Sequence, residues 1–173
     1  MSEQIIITLI SSCITILGFF VTIYTLMRSF KNEIQKTKNN IVLEHIRDLP
    51  YEILDNFDHL NDKDYNSKIL LNEFTIIMKK VYAYGSIDAI GIISKMQQEN
   101  YLRKKNEFAN KYRPVCFYIL LVTQIKYDVT GNAVSPDYWY RMKITDYEQN
   151  KFNFIDENNK IVKEMNLNPK FKI

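Results

Sequence analysis

A chain of 173 residues has room for one domain with a modest core. Ten Phe, twelve Tyr and one Trp argue against an intrinsically disordered protein, and only four Gly and four Pro favour helices over a turn-rich β fold. The formal net charge of +3 equals the excess of basic residues within residues 28–38 alone. The charge therefore does not indicate a general affinity for nucleic acid, which is not an expected partner.

The N-terminal stretch from Ile5 to Met27 contains no charged residue. A helix of that length covers about 35 Å, which is enough to cross a hydrocarbon core of about 30 Å. A cleaved signal peptide is the main alternative, but it would begin with basic residues and have a shorter apolar core. Residues 1–27 are therefore predicted to be a retained transmembrane anchor in a lipid bilayer.

Four basic residues follow the apolar stretch, whereas the residues before it include no Lys or Arg. The positive-inside rule predicts a single-pass protein of the inner (cytoplasmic) membrane, with the N-terminus outside and the C-terminal domain in the cytoplasm. The same basic side chains are expected to contact anionic lipid headgroups. They are Arg28, Lys31, Lys36 and Lys38.

Small or weakly polar residues recur along the anchor at alternating spacings of three and four, which places them on one helix face. Such faces let membrane helices pack closely, so the pattern predicts a homo-oligomer. Two alternatives remain open: the hydroxyls bond their own backbone, or the face lines a pore. This small-residue stripe consists of Thr8, Ser11, Thr15, Gly18, Thr22 and Thr25.

Residues 28–48 are predicted to continue the anchor helix as a juxtamembrane stalk. Phe30, Ile34, Ile41 and His45 form a narrow apolar line, which suits a coiled-coil contact with another copy better than a domain core. The dipeptide at 49–50, Leu-Pro, disfavours helix at its first residue and predicts a break. Residues 49–173 are then expected to form the cytoplasmic helical domain.

The domain is predicted to be all-α, a compact bundle of four to five helices. Ser67 is expected to cap a helix that ends at Gly85 in a left-handed conformation, and Ser86 is expected to cap the next one. Pro114 opens an apolar helix that Gly131 ends, and the sequence Ser-Pro-Asp at 135–137 begins another. At the end of the chain, KFNFI and KIVKE flank the turn-forming DENN, which predicts a small C-terminal β-hairpin.

No motif for a catalytic site, a cofactor or a metal ion is found, and no enzyme activity is predicted. His59 lies among aspartates at 55, 58, 62 and 64, but these lack the alternation and glycine of a calcium loop. The Asp-Val-Thr-Gly at 128–131 is similar to an aspartic-protease motif, yet its position predicts backbone capping. Cys116 is expected to be a small core residue. Trp139 is expected in the core rather than in a stacking site.

Charged residues after the stalk are segregated, with an acidic stretch at 44–64 and a basic stretch at 95–113. Oppositely charged segments of one small domain usually face each other or solvent. The basic stretch remains a candidate surface for a protein partner, as does the loop and helix at 132–147. Its central basic residues are Arg103, Lys104 and Lys105.

Two segments, VYAYGSIDAI at 81–90 and QIKYDVTGNAVSPDYWYRMKITDY at 124–147, resemble small bacterial proteins with one N-terminal span and a helical cytoplasmic domain. The resemblance implies this architecture and assigns no functional residue. The sequence thus predicts a self-associating, membrane-anchored interaction or sensor protein, and its size and composition suggest a prophage or phage-defence accessory. The alternative is a membrane-permeabilising effector whose span oligomerises under control of the domain.

Overall fold

A computed structural model describes residues 3–60, 62, 64–103 and 110–173, and within these ranges the regular structure is entirely helical. The chain divides into two compact units, Met1–Val42 and Leu43–Ile173. The sequence placed the domain boundary at residue 49, and the divisions at 27 and 48 stay predictions. The all-α prediction is confirmed for the described residues.

The first unit is formed by helix α1, which runs from Glu3 to Ile46 and ends in the second unit. Its 44 residues make it the longest described helix, about 66 Å long. The predicted continuation of the apolar helix past residue 28 is confirmed, because no break in the helix separates the two stretches. A turn at residues 47–48 then ends it, just before the Leu-Pro pair.

The second unit begins with the last residues of α1. Ile46 is buried, and the His45 ring stacks on Tyr84 with 4.3 Å between ring centroids. His45 was predicted to extend the apolar line of the stalk, but its ring is used inside the domain. Six further α-helices follow in the described residues, rather than four or five: α2 (Leu49–His59), α3 (Ser67–Tyr84), α4 (Ile87–Arg103), α5 (Tyr112–Thr130), α6 (Asp137–Lys143) and α7 (Tyr147–Glu164).

Helix α5 is the centre of the domain. Every residue from Cys116 to Ile125 is buried, and the helix packs against α2, α4 and α7. An apolar run of this length is too short for a second membrane span but suits a helix surrounded by others. The prediction that Cys116 is a core residue is confirmed, and burial raises the pKa of its thiol to about 12.

The helix ends follow the predicted chemistry in part. Ser86 accepts a hydrogen bond from the Ala89 amide, and Gly131 ends α5 in the left-handed region with φ of 70°. The cap before α3 is Asn66 rather than Ser67, since the Asn66 side chain accepts from the Lys68 amide. Gly85 is not left-handed, with φ of −74°. It is needed because a Cβ there would lie 2.6 Å from the Val81 carbonyl oxygen.

The predicted C-terminal β-hairpin is wrong, because KFNFI, DENN and KIVKE all lie within the single helix α7. The apolar residues that alternate locally also fall at helical spacing, and Phe154, Ile161 and Val162 are buried on one face. Asn158 lies on the same face and donates to the Phe171 carbonyl oxygen at 2.8 Å. The asparagines that resemble turn residues therefore bind the chain end instead.

The last residues form a short 3₁₀ turn, Pro169–Phe171, that packs back onto α7. Phe171 is completely buried and meets the Tyr127 ring edge-on at 6.0 Å. Asn159 accepts from the Ile173 amide and donates to its carbonyl, both at 2.9 Å. The C-terminal tail is thus part of the core rather than an appendage.

Candidate membrane anchor and interaction surface

Helix α1 presents exposed apolar side chains over most of its circumference, apart from the face of the small-residue stripe. Among those described, Leu17, Phe19 and Met27 point to different sides of the helix and are each between 64% and 71% exposed. The described residues hold one helix that is long and apolar enough to cross a membrane, and none of its apolar window is buried by the rest of the chain. Aromatic and aliphatic side chains exposed over most of a helix circumference are typical of a helix that lies in an apolar environment.

The small-residue stripe lies on this helix, and two of its hydroxyls bond their own backbone. Thr22 donates to the Gly18 carbonyl oxygen at 2.8 Å, and Thr25 donates to the Val21 carbonyl oxygen. These bonds remove the need for a polar partner in lipid. The side chains of Thr8 and Ser11 lie outside the described part of the structure. Packing through the stripe stays a prediction.

The basic residues after the apolar stretch are exposed, as contact with headgroups requires. The side chains of Arg28, Lys31, Lys36 and Lys38 lie on α1. None of them makes an ion pair with another described residue. Each of them is therefore available to an anionic surface, although lipid contact itself stays a prediction.

The basic stretch at 95–113 is partly internal. Arg113 forms a two-pronged ion pair with Glu99 at 2.7 and 2.8 Å, and also reaches Glu164 at 2.6 Å and Glu157 at 3.4 Å. These hydrogen bonds, chiefly the one to Glu99, raise the pKa of Arg113. Lys95 lies 3.9 Å from the same Glu99. We call this group the Arg113 cluster, and it consists of Arg113, Glu99, Glu157 and Glu164. It joins α4, α5 and α7, and its charges are therefore not free for a partner.

Replacing Arg113 with alanine is expected to destabilise the domain by about 2–3 kcal/mol. Glu157, whose side chain is only 8% exposed, would lose its guanidinium partner. Thermal unfolding followed by Trp139 fluorescence measures the effect. Arg47→Ala is the matched control, since Arg47 pairs only with Asp48 at the surface and should change nothing measurable. Equal unfolding temperatures for both variants would contradict a structural role of the Arg113 cluster.

The central basic residues of that stretch cannot be placed as a surface. Arg103 is the last residue of α4, and its side chain lies outside the described part, as do Lys104 and Lys105. Their role as a partner surface stays a prediction. The loop and helix at 132–147 do expose apolar side chains, with Tyr138 at 64% and Met142 at 77%.

The three consecutive aromatic residues at 138–140 differ in how deeply their side chains are buried. Tyr140, rather than Trp139, is the fully buried residue of the three. Trp139 is partly buried and meets the edge of Phe57 at 5.2 Å. The expectation that Trp139 lies in the core is confirmed only in part, since Trp139 packs against the core from a half-buried position and Tyr140 occupies the core itself.

The Asp-Val-Thr-Gly motif has a structural role at the end of α5. Thr130 donates to the Lys126 carbonyl oxygen at 2.7 Å and accepts from the Asn132 amide at 3.2 Å. Asp128, which was expected to bond the backbone, accepts from the Gln124 side chain at 2.8 Å and also hydrogen-bonds to the side chain and backbone of Ser86. Burial raises the pKa of the Asp128 carboxyl group.

The acidic stretch holds no grouping of side chains that could bind a metal ion, as far as the described residues go. His59 instead stacks on the Tyr65 ring at 3.9 Å between centroids. Tyr65 donates to Glu73 at 2.7 Å, and this hydrogen bond raises the pKa of the tyrosine. His59 and its neighbours thus join α2 to the start of α3.

Part of the acidic stretch lines a groove between α2 and α3, with a volume of about 290 Å³. Two of its lining residues form an ion pair, in which Lys80 contacts both carboxylate oxygens of Glu52 at 2.5 and 2.7 Å. We call it the α2–α3 groove. Its lining residues are Tyr51, Glu52, Asp55, Asn56, Glu73, Ile76, Ile77 and Lys80.

The floor of the α2–α3 groove contains an unsatisfied polar group. Asn56 is only 2% exposed, and its amide nitrogen donates weakly to the Leu70 carbonyl at 3.3 Å and to Glu73 at 3.4 Å. Its amide oxygen is buried without a hydrogen-bond partner. Such an acceptor without a donor costs stability.

Comparisons of the chain with protein-family models, with curated proteins and with solved structures find no match.

Proposed function

We propose that this protein is a single-span membrane protein whose helical cytoplasmic domain recognises another protein. The observation that carries the proposal is the exposed apolar surface of α1, which covers most of the helix circumference over a length that matches a bilayer. The basic residues that follow support an orientation with the domain in the cytoplasm, at the inner membrane.

Recognition of a protein is supported by the surface of the second unit. Tyr51, Tyr82, Tyr138 and Phe152 are each between 64% and 81% exposed. Aromatic residues are enriched at protein interfaces, where they supply large contact areas. An accessory or sensor role in a prophage or phage-defence system is the biological setting we propose, from size and composition.

Self-association is part of the proposal. A helix advances about 100° per residue, so the side chains of Thr15, Gly18 and Thr22 lie between about 60° and 160° around α1 from those of Phe30 and Ile34. The small-residue stripe and the apolar line of the stalk therefore both offer surfaces for packing against α1 of another copy.

The alternative function is a membrane-permeabilising effector, and the Gly18 region of the small-residue stripe favours it. No side chain lies within 4 Å of a Cβ built at Gly18, so this face is open to a neighbouring helix. Close helix packing at such positions is how membrane assemblies form.

Dye entry and membrane potential in cells that express the full chain separate the two functions. An anchored interaction protein leaves the membrane intact, whereas an effector depolarises it. Replacing Ser11, Thr15, Gly18 and Thr22 with leucine is the matched variant, since it keeps the helix apolar and blocks close packing. Depolarisation that this variant abolishes would overturn the proposed function in favour of the effector.

A further inference from the structure

The α2–α3 groove offers acceptors and carboxylates without enough donors. It contains three carboxylates and one ammonium group, and the ammonium of Lys80 is already paired with Glu52. Asp55 is exposed and makes no ion pair with any described residue. Glu73, on α3, accepts hydrogen bonds from Tyr65 and Asn56 and lies 4.0 Å from the His59 ring nitrogen, so Asp55 is the groove carboxylate that lacks a partner among the described residues. The missing component is therefore a cationic group that donates several hydrogen bonds.

The orphaned oxygen of Asn56 is independent evidence for such a donor. It is an acceptor, and its amide nitrogen is already committed to Leu70 and Glu73. Neighbouring side chains cover it in the free protein, so an entering group must displace them. A guanidinium group presents five donors in a planar fork, and this arrangement can serve carboxylates and an amide together.

The size of the groove and the residues at its edge indicate which kind of molecule carries the cationic group. A volume of about 290 Å³ is at the lower limit for small-molecule pockets, which occupy roughly 300–1,000 Å³. Tyr51 is 73% exposed and Ile76 is 43% exposed beside the carboxylates. One long side chain with an apolar neighbour fits this surface better than a free metabolite.

We infer that the α2–α3 groove binds an arginine side chain of a partner protein, with an adjacent apolar residue against Tyr51 and Ile76. Asp55 and Glu73 pair with the guanidinium group, and Asn56 accepts one of its N–H groups. This inference rests on the proposed function, because it names the site and the chemistry by which the domain recognises its partner.

Peptide binding to the full chain in phosphatidylcholine nanodiscs tests this. The probe is a short, dye-labelled peptide of leucine and alanine with one central arginine, followed by fluorescence anisotropy. In the control peptide, citrulline replaces the arginine, so the side chain keeps its shape but loses its positive charge. Lipid without net charge prevents the probe from binding headgroups. We expect saturable binding of the arginine peptide and at least about tenfold weaker binding of the citrulline peptide.

Two variants locate the binding. Asp55→Asn should weaken the arginine peptide about tenfold, whereas Asp64→Asn, which removes an exposed charge outside the groove, should not. Asn56→Leu should raise the unfolding temperature and also weaken binding, since it removes the orphaned oxygen. Equal binding of the two peptides, or equal effects of Asp55→Asn and Asp64→Asn, would overturn the inference. Those outcomes leave the proposed function standing, because membrane integrity is measured separately.

Discussion

A chain that starts at Arg28 is expected to be recovered in the soluble fraction of lysed cells, whereas the full chain is expected in the membrane fraction. The deletion removes the exposed apolar side chains between residues 5 and 27 of α1. Each buried apolar side chain contributes about 1.5–3 kcal/mol, so their sum makes insertion in lipid effectively irreversible. Fractionation with an alkaline carbonate wash measures it.

The shortened chain keeps the basic residues Arg28, Lys31, Lys36 and Lys38. If it binds membranes weakly and salt removes it, that result is consistent with an anchor in the deleted residues. A matched variant of the full chain with these four changed to glutamine should stay in the membrane through a carbonate wash. If the shortened chain also resisted the wash, the apolar stretch would not be the anchor. Another part of the chain would then have to hold the protein to the bilayer.

Replacing Phe171 with alanine is expected to destabilise the domain by about 3–5 kcal/mol, because the ring is fully buried and its loss leaves a cavity. The unfolding temperature should fall by about 10 °C or more. Trp139 is the only tryptophan and packs on Phe57, so its fluorescence reports on unfolding of the domain. The soluble chain that starts at Arg28 is the material for this measurement.

Phe152→Ala is the matched control, since Phe152 is 81% exposed on α7. The same chemical change should leave the unfolding temperature nearly unaltered. Similar unfolding temperatures for the two variants would show that the C-terminal turn does not pack on the domain. Asn158→Ala should then also be silent, although its amide bonds the Phe171 carbonyl oxygen.

Much of the local structure could be predicted from the sequence because it depends on neighbours along the chain. The capping by Ser86, the left-handed Gly131 and the burial of Cys116 on α5 all follow from short-range rules. The hairpin prediction failed where two periodicities coexist. Polar and apolar residues alternate within KFNFI, which is typical of a strand. The same residues also have the helical spacing that places Phe154 and Ile161 on one face of α7.

The candidate sites depended on contacts that the sequence does not reveal. Arg113 was counted with the basic stretch, yet it is paired with carboxylates on three sides that lie 14 to 51 residues away along the chain. The α2–α3 groove also escaped prediction, because Asn56 gives no signal until its amide oxygen is found without a partner. The excess of aspartates at residues 44–64 did, however, indicate the part of the chain in which the groove lies.

The sequence by itself determined that the chain has one long apolar helix followed by a helical domain, since length, charge and helical periodicity are properties of consecutive residues. Only the tertiary structure decided which charges are internal and which polar group lacks a partner. The physical reason is that pairing and burial are set by residues brought together from distant parts of the chain. Arg113 and Asn56 show both outcomes, since folding pairs the Arg113 guanidinium group and leaves the Asn56 amide oxygen without a donor among the described residues.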